Sequence, residues 1–348
     1  MSNTNEQLVG QLLIAGFRGK TAEEGSNIAS LINKYRISGV ILYDEDLEIG
    51  GPKSRNIESP QQVKKLIKQL QILSGHNLFI SIDQEGGEVH RLQSQYGFNE
   101  TPSWNHIGLL NNKLITKEFS DSLSSTLSEA GVNLNFAPVL DLDYGIGTVI
   151  SDSGRAFSLD PQIVIEHSRI LINSHKKKGV ITSGKHFPGL GSASGDTHEG
   201  YTDISDTWTV KDLIPFAELI HSNDLDMIMV SHAFDKKLDS LYPASLSKNI
   251  VTDMLRNDLG FNGVVICDDP SMRAISDHYN LEDTFELMLN AGIDLFCLGN
   301  NLIYDTNYIS KSVNAICNLI NTGKISVQRI QDSIIRINSL KKKYNINV

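Results

Sequence analysis

Eight short apolar runs recur along the chain, each followed by a segment of helical spacing, and this alternation leaves few folds open. The runs are Leu12–Ala15, Gly39–Tyr43, Leu78–Asp83, Asn133–Leu140, Val180–His186, Met227–His232, Val264–Asp268 and Leu295–Leu298. Near-continuous Val, Ile and Leu in such runs predicts strands buried on both faces. Between them lie amphipathic segments: Glu24–Tyr35, Pro60–Ser74, Lys117–Ala130, Pro161–Lys178, Asp212–Ser222, Asn249–Leu259 and Glu282–Ala291, with Ser326–Lys343 closing the chain. Strand–helix alternation predicts a parallel sheet covered by helices. Eight such units in 348 residues fit an α/β fold of the (β/α)₈ TIM-barrel type. A doubly wound open sheet would want a glycine-rich phosphate fingerprint after the first strand, and Gly16-Phe17-Arg18-Gly19 lacks that pattern. No linker or low-complexity segment interrupts the series, so a single barrel domain is expected over residues 1–348.

Charge narrows the partners. The formal net charge is −10 and no basic run exceeds three lysines, which argues against a nucleic-acid ligand. No apolar run reaches membrane-spanning length, and residues 1–7 lack the basic-then-apolar pattern of an export signal. The three cysteines, Cys267, Cys297 and Cys317, show no metal-ligand spacing and fit free thiols in a reducing compartment. A cytoplasmic protein without a membrane or nucleic-acid partner is expected.

The chemistry-bearing residues gather at the ends of the apolar runs: Asp83-Gln84-Glu85, Asp141, Lys185-His186, His232 and Asp268-Asp269. In a parallel barrel all of these ends open on one face, where catalysis occurs. Asp268, ending Val264-Val265-Ile266-Cys267, could serve as nucleophile, metal ligand or general base; Asp269, beside Pro270 and Ser271, is better placed to cap the following helix. After Lys185-His186-Phe187-Pro188-Gly189-Leu190-Gly191 comes a small-residue loop carrying Asp196-Thr197-His198. A hydrogen bond between Asp196 and His198 would fix the imidazole tautomer and raise its basicity, as a proton donor to a leaving oxygen requires. Asp83, at the start of Asp83-Gln84-Glu85-Gly86-Gly87, could accept a substrate hydroxyl, and Arg91 and Arg155 are candidate sugar ligands. The loop Leu47–Arg55 falls on the same face and could shape access or be a solvated insertion.

Asp83, His186, His198, His232 and Asp268 could be read as a metal set. Yet no His-x-His or His-Glu-x-x-His spacing occurs, and Lys185 beside His186 would repel a cation. The Gly-x-Ser-x-Gly nucleophile motif is also missing. The residues imply neither metal nor cofactor.

The run Lys185-His186-Phe187-Pro188-Gly189-Leu190-Gly191, with Asp196-Thr197-His198 after it, resembles the signature of glycoside hydrolase family 3 β-N-acetylhexosaminidases. The resemblance covers nearly the whole chain. It includes Leu8–Leu13 as the opening strand, Asp83–Arg91, Asn135–Asp141, Gly154–Phe157, Pro243–Ser247 and Asp268–Met272. It implies a single distorted barrel and a retaining double displacement, with Asp268 as nucleophile and His198, paired with Asp196, as acid/base. Asp83, Arg91, Arg155, Lys185 and His186 would then hold a terminal N-acetylglucosamine (GlcNAc). His232 fits a pocket position less directly. By the same resemblance the substrate is a muropeptide of cell-wall recycling. Leu190 stands where relatives usually carry histidine, Glu88 where a basic residue is frequent, and the Asp44–Arg55 loop is longer than in short relatives. These departures bear on the leaving group. A β-glucosidase or a phosphorylase on the same scaffold, and a non-catalytic sugar-binding barrel, stay open at this level.

Overall fold

A computed structural model describes residues 4–75 and 78–346. All eight predicted strands form, and they close on themselves. In chain order they are β1 Leu13–Gly16, β2 Gly39–Leu42, β3 Phe79–Ile82, β4 Leu134–Asn135, β5 Ile181–Phe187, β6 Met227–Val230, β7 Val264–Cys267 and β8 Leu295–Leu298. Each pairs in parallel with its sequence neighbours, and β1 with β8 completes the barrel. A two-stranded antiparallel pair, Gln84–Gly86 with Val89–His90, stands outside it just after β3.

The two-residue period of a strand sorts the side chains. Ile14, Ile41, Phe79, Val264, Ile266, Leu295 and Cys297 fill the barrel interior. Their neighbours Ala15, Val40, Leu42, Ile80, Val265 and Phe296 face the helices. Every residue of these strands is buried, which is why the runs read as continuous rather than alternating.

Helix boundaries follow their caps. Ser59 accepts the N–H of Gln62 ahead of Pro60, and the helix Pro60–Ser74 ends at Gly75 in the left-handed region. Asn112 caps a helix that therefore begins at Lys113, four residues earlier than apolar spacing alone suggests. The segment Asn249–Asp258 is wound as a π-helix. One expectation is corrected: Leu8–Leu13 is not a continuous strand. Thr4 and Gln7 form a capping box that starts a helix over Asn5–Gly10, and β1 begins only at Leu13.

The C-terminal helix, Val327–Lys343, crosses the base of the barrel. Ile337, Leu340 and Ile346 join the interior cluster there. Lys341 donates to the carbonyl of Ser38, which immediately precedes β2 (3.0 Å), and lies over the Phe79 ring. Tyr344 donates to Asp226, just before β6 (2.7 Å). Among the described residues no helix is long and apolar enough to cross a membrane.

Candidate active site

The strand ends deliver their polar residues to one cavity of about 540 Å³ at the carboxyl mouth of the barrel. Asp83, Arg91, Arg155, Lys185, His186, Asp196, His198 and Asp268, all singled out from the sequence, line it. His232 does not; it lies behind the turn that carries Asp268.

Two buried acids that the sequence placed at strand ends on this face, without a role, organise its floor. Glu85 is wholly buried. It accepts from Arg155 through both oxygens (2.8 Å each) and from Lys185 Nζ (2.6 Å). Lys185 Nζ also donates to Asp83 Oδ1 (2.8 Å). Burial alone would raise the Glu85 pKa, but the charges of Arg155 and Lys185 outweigh it and hold the carboxyl at about 2. Asp141 accepts the backbone N–H groups of His186 (3.2 Å) and Leu190 (2.7 Å) and bonds His186 Nδ1 (2.6 Å). Arg155 Nη2 can only donate to His186 Nε2 (3.2 Å), so the network puts the imidazole proton on Nδ1, toward Asp141.

Asp268 follows β7 directly. Its Oδ1 accepts the N–H of Asp269 (2.9 Å). Burial pushes its pKa up, but the nearby imidazoles of His232, His186 and His198 together bring it below the ordinary value, so the group is an ionised carboxylate at neutral pH. The expected cap role of Asp269 is modified: Asp269 Oδ1 accepts the N–H of Ser271 (2.9 Å), whereas Met272 occupies the N-cap of the short helix Arg273–Ser276. Buried and short of compensating charge, Asp269 is raised to about 6. His232 Nε2 donates to the Asp269 carbonyl (3.0 Å), and its Nδ1 meets the Ser245 hydroxyl (2.7 Å), which pins this turn from below.

The loop after β5 brings in the predicted pair. Asp196 Oδ1 bonds His198 Nδ1 (2.8 Å) and accepts the His198 N–H (2.9 Å). The His198 side chain is 52% exposed. Burial lowers its pKa, but the hydrogen bond to Asp196 and the charges of Asp268 and Asp196 raise it above the usual histidine value. The loop is tethered. Gly191 packs so closely that a Cβ there would lie 2.1 Å from the Leu142 carbonyl oxygen, and the Thr197 carbonyl accepts the N–H of Ala274 (3.2 Å) beyond Asp268. Leu190 is buried among Val139, Ile150 and Trp208.

The 44–55 loop is anchored at its ends and solvent-exposed between Leu47 and Pro52. Arg55 is buried, and donates to Asp46 (2.7 Å) and to the carbonyl of Asn300 (2.7 Å); Arg18 grips Asp46 as well. Glu45 and Leu47 from this loop reach the cavity. Among the described residues no group of three or more His, Cys, Asp or Glu side chains is arranged to hold a metal ion.

An ionised carboxylate and a paired imidazole lining one cavity, on the catalytic face of a (β/α)₈ barrel, form an arrangement compatible with glycoside hydrolysis. Comparison with known sequences agrees: the glycosyl hydrolase family 3 N-terminal domain matches residues 4–340, and the chain belongs to that family. It is 34% identical over 278 residues to a β-hexosaminidase of Nitrosomonas eutropha, covering 76% of this chain and 74% of that protein. It is 28% identical over 380 residues to β-hexosaminidase A of Pseudoalteromonas piscicida, covering 98% of this chain but 61% of that protein. Among solved structures, a family 3 β-N-acetylglucosaminidase from Paenibacillus sp. superposes with a TM-score of 0.89 at 30% identity, covering 99% of this chain and 63% of that one. A β-N-acetylhexosaminidase from Beutenbergia cavernae gives 0.86 at 26% identity, with 98% and 99% covered. The chain thus spans about three fifths of some relatives and nearly all of others.

Proposed function

We propose that the protein is a retaining exo-β-N-acetylglucosaminidase, the residues described forming one catalytic barrel domain. The observation that carries this reading is the joint presence of Asp268 and the Asp196–His198 pair on one cavity. Asp269 N–H occupies Oδ1 of Asp268, so Oδ2 is the oxygen left to attack the anomeric carbon. As that bond forms, the glycosidic C1–O bond breaks and the imidazolium of His198 gives its Nε2 proton to the leaving oxygen. A glycosyl–aspartate ester results. Neutral His198 then takes a proton from water at Nε2, the oxygen attacks C1, and the ester bond breaks to release the sugar with its β configuration retained. Throughout, Asp196 holds Nδ1–H and supports the positive charge when it appears. An imidazole in this role, neutral after donation, does not repel the anionic nucleophile as a second carboxylate would.

Asp83, Lys185, Arg155, His186 and Arg91 hold the sugar. Lys185 and Arg155 are already oriented by Glu85, so little ordering remains to be done on binding. Relatives titled β-hexosaminidase and β-N-acetylglucosaminidase support GlcNAc as the sugar released. The three unpaired cysteines accord with work in a reducing cytoplasm. The expected muropeptide is a reading of the aglycone, which this inner cradle does not touch.

Hydrolysis of an aryl β-N-acetylglucosaminide by the wild type, Asp268→Asn and His198→Ala, with the product anomer followed by NMR, tests the proposal. β-Product from the wild type and near-complete loss in Asp268→Asn are expected. Near-normal turnover by Asp268→Asn, or α-anomer as first product, overturns it.

A further inference from the structure

The cavity changes character from floor to mouth. At the floor the charges cancel: Lys185 and Arg155 face Asp83 and Glu85, and Asp268 faces imidazoles. At the mouth they do not. Glu45, Glu88 and Asp152 all line the cavity and are exposed. The lysines and arginines of the lining are Lys185, Arg155 and Arg91; the first two are committed to the floor. Arg91 Nη1 lies 3.9 Å from Asp44, a buried carboxylate that already sets against its charge. Two of the three outer acids are held in place: Glu45 Oε1 accepts the N–H of Gly51 (2.9 Å), and both Asp152 oxygens accept from Gly147 (3.0 and 3.3 Å). Glu88 has no cationic partner among the described residues, and five residues further on Gln93 donates to Asp44 (2.7 Å). Leu47 and Leu302 add apolar surface to the same mouth.

We infer that Glu45, Glu88 and Asp152 select the aglycone by charge, favouring a hexosamine unit with a protonated free amine over a neutral one, and a neutral unit over one bearing a carboxylate. This rests on the glycosidase reading above and names the substrate class of that site. GlcNAc occupies the charge-balanced floor, and the next unit, across the scissile bond, sits among three fixed or unpaired carboxylates, while the positive groups of the lining there, Arg91 and the His198 imidazolium, are each set against an aspartate. A partly deacetylated amino-sugar chain end is the kind of substrate this mouth fits. A lactyl-bearing muramic unit adds a carboxylate to a mouth that already carries three exposed acids. Because the acids are solvent-exposed, the preference is moderate and salt-sensitive.

The full chain should be assayed on three disaccharides with the same non-reducing GlcNAc, β-1,4-linked to glucosamine, to N-acetylglucosamine or to N-acetylmuramic acid. The measurement is kcat/KM slightly on the acid side of neutrality, at low and high salt. At low salt the glucosamine disaccharide should exceed the muramic one by about tenfold, and high salt should shrink that ratio to about threefold or less. The double variant Glu88→Lys, Asp152→Asn should reduce the ratio or invert it. Equal turnover of the three without salt dependence, or an unchanged ratio in the variant, overturns the charge selection while leaving the glycosidase reading intact. Failure of all three together with an aryl β-N-acetylglucosaminide overturns both.

Discussion

Glu85→Gln removes a fully buried negative charge that buried Lys185 and part-buried Arg155 share. The carboxyl is held at about 2 against an ordinary value near 4.5, a difference worth roughly 3 kcal/mol of folding free energy at neutral pH. Leaving Arg155 without its carboxylate partner, and Lys185 with Asp83 alone, gives a similar figure from the other side, about 3–5 kcal/mol. For 348 residues the unfolding entropy is roughly 0.7 kcal/mol/K, so the variant should melt about 4–7 °C below the wild type. The folded-state pKa is depressed, so this stabilisation is fully present above the ordinary glutamate value and is lost as pH falls toward 2. The gap between wild type and variant should therefore be widest near neutrality and close on acidification. Differential scanning fluorimetry across pH, with far-UV circular dichroism to confirm the fold, measures both. A variant that melts with the wild type, or a gap that widens in acid, refutes the reasoning. Activity should suffer chiefly through KM, because Lys185 and Arg155 lose the partner that aims them.

Three further outcomes follow from the same geometry. Asp196→Ala removes a hydrogen bond and a charge that raise the His198 pKa, so the alkaline limb of the kcat/KM–pH profile should move to lower pH, and an unmoved limb counts against the pair. Ser245→Ala loosens His232 under the Asp268 turn; kcat should fall about tenfold with KM nearly constant, and a pure KM effect would contradict a positioning role. Lys341 is pushed down to about 7 by burial, so its charged form is penalised in the fold below that pH and the penalty fades as pH rises toward the ordinary lysine value. Lys341→Met should accordingly raise the melting temperature most at neutral and acid pH, and a uniform or inverted shift in thermal scans would refute this.

The barrel was legible because its strands are buried on both sides, leaving apolar runs that end in chemistry: Asp83, Lys185-His186 and Asp268 sit where the runs stop. The helix Tyr308–Asn321 escaped notice. Its buried residues Ile309, Val313, Ile316 and Leu319 have helical spacing, but Asn307 makes no capping bond to mark where it starts. Glu85 and Asp141 were visible as strand-end acids, yet their partners lie far along the chain: Arg155 is 70 residues from Glu85, and His186 is 45 from Asp141. Only closure of the barrel brings such charges together, and no local pattern encodes it. The anchoring of the 44–55 loop was hidden for the same reason, since Arg55 reaches Asn300. The Asp196–His198 bond spans two residues, and so it could be read directly.

The helix lying under the barrel has a practical consequence. Lys341 and Tyr344 contact residues that precede β2 and β6, so residue 346 lies on the side facing away from the sugar-binding opening. Cargo joined at that end, whether a purification handle, a resin linkage or a neighbouring module, would hang below the enzyme and leave the substrate's route unobstructed. A graft that pulled Ile337, Leu340 or Ile346 out of place would instead expose the packed centre of the cylinder to water from beneath.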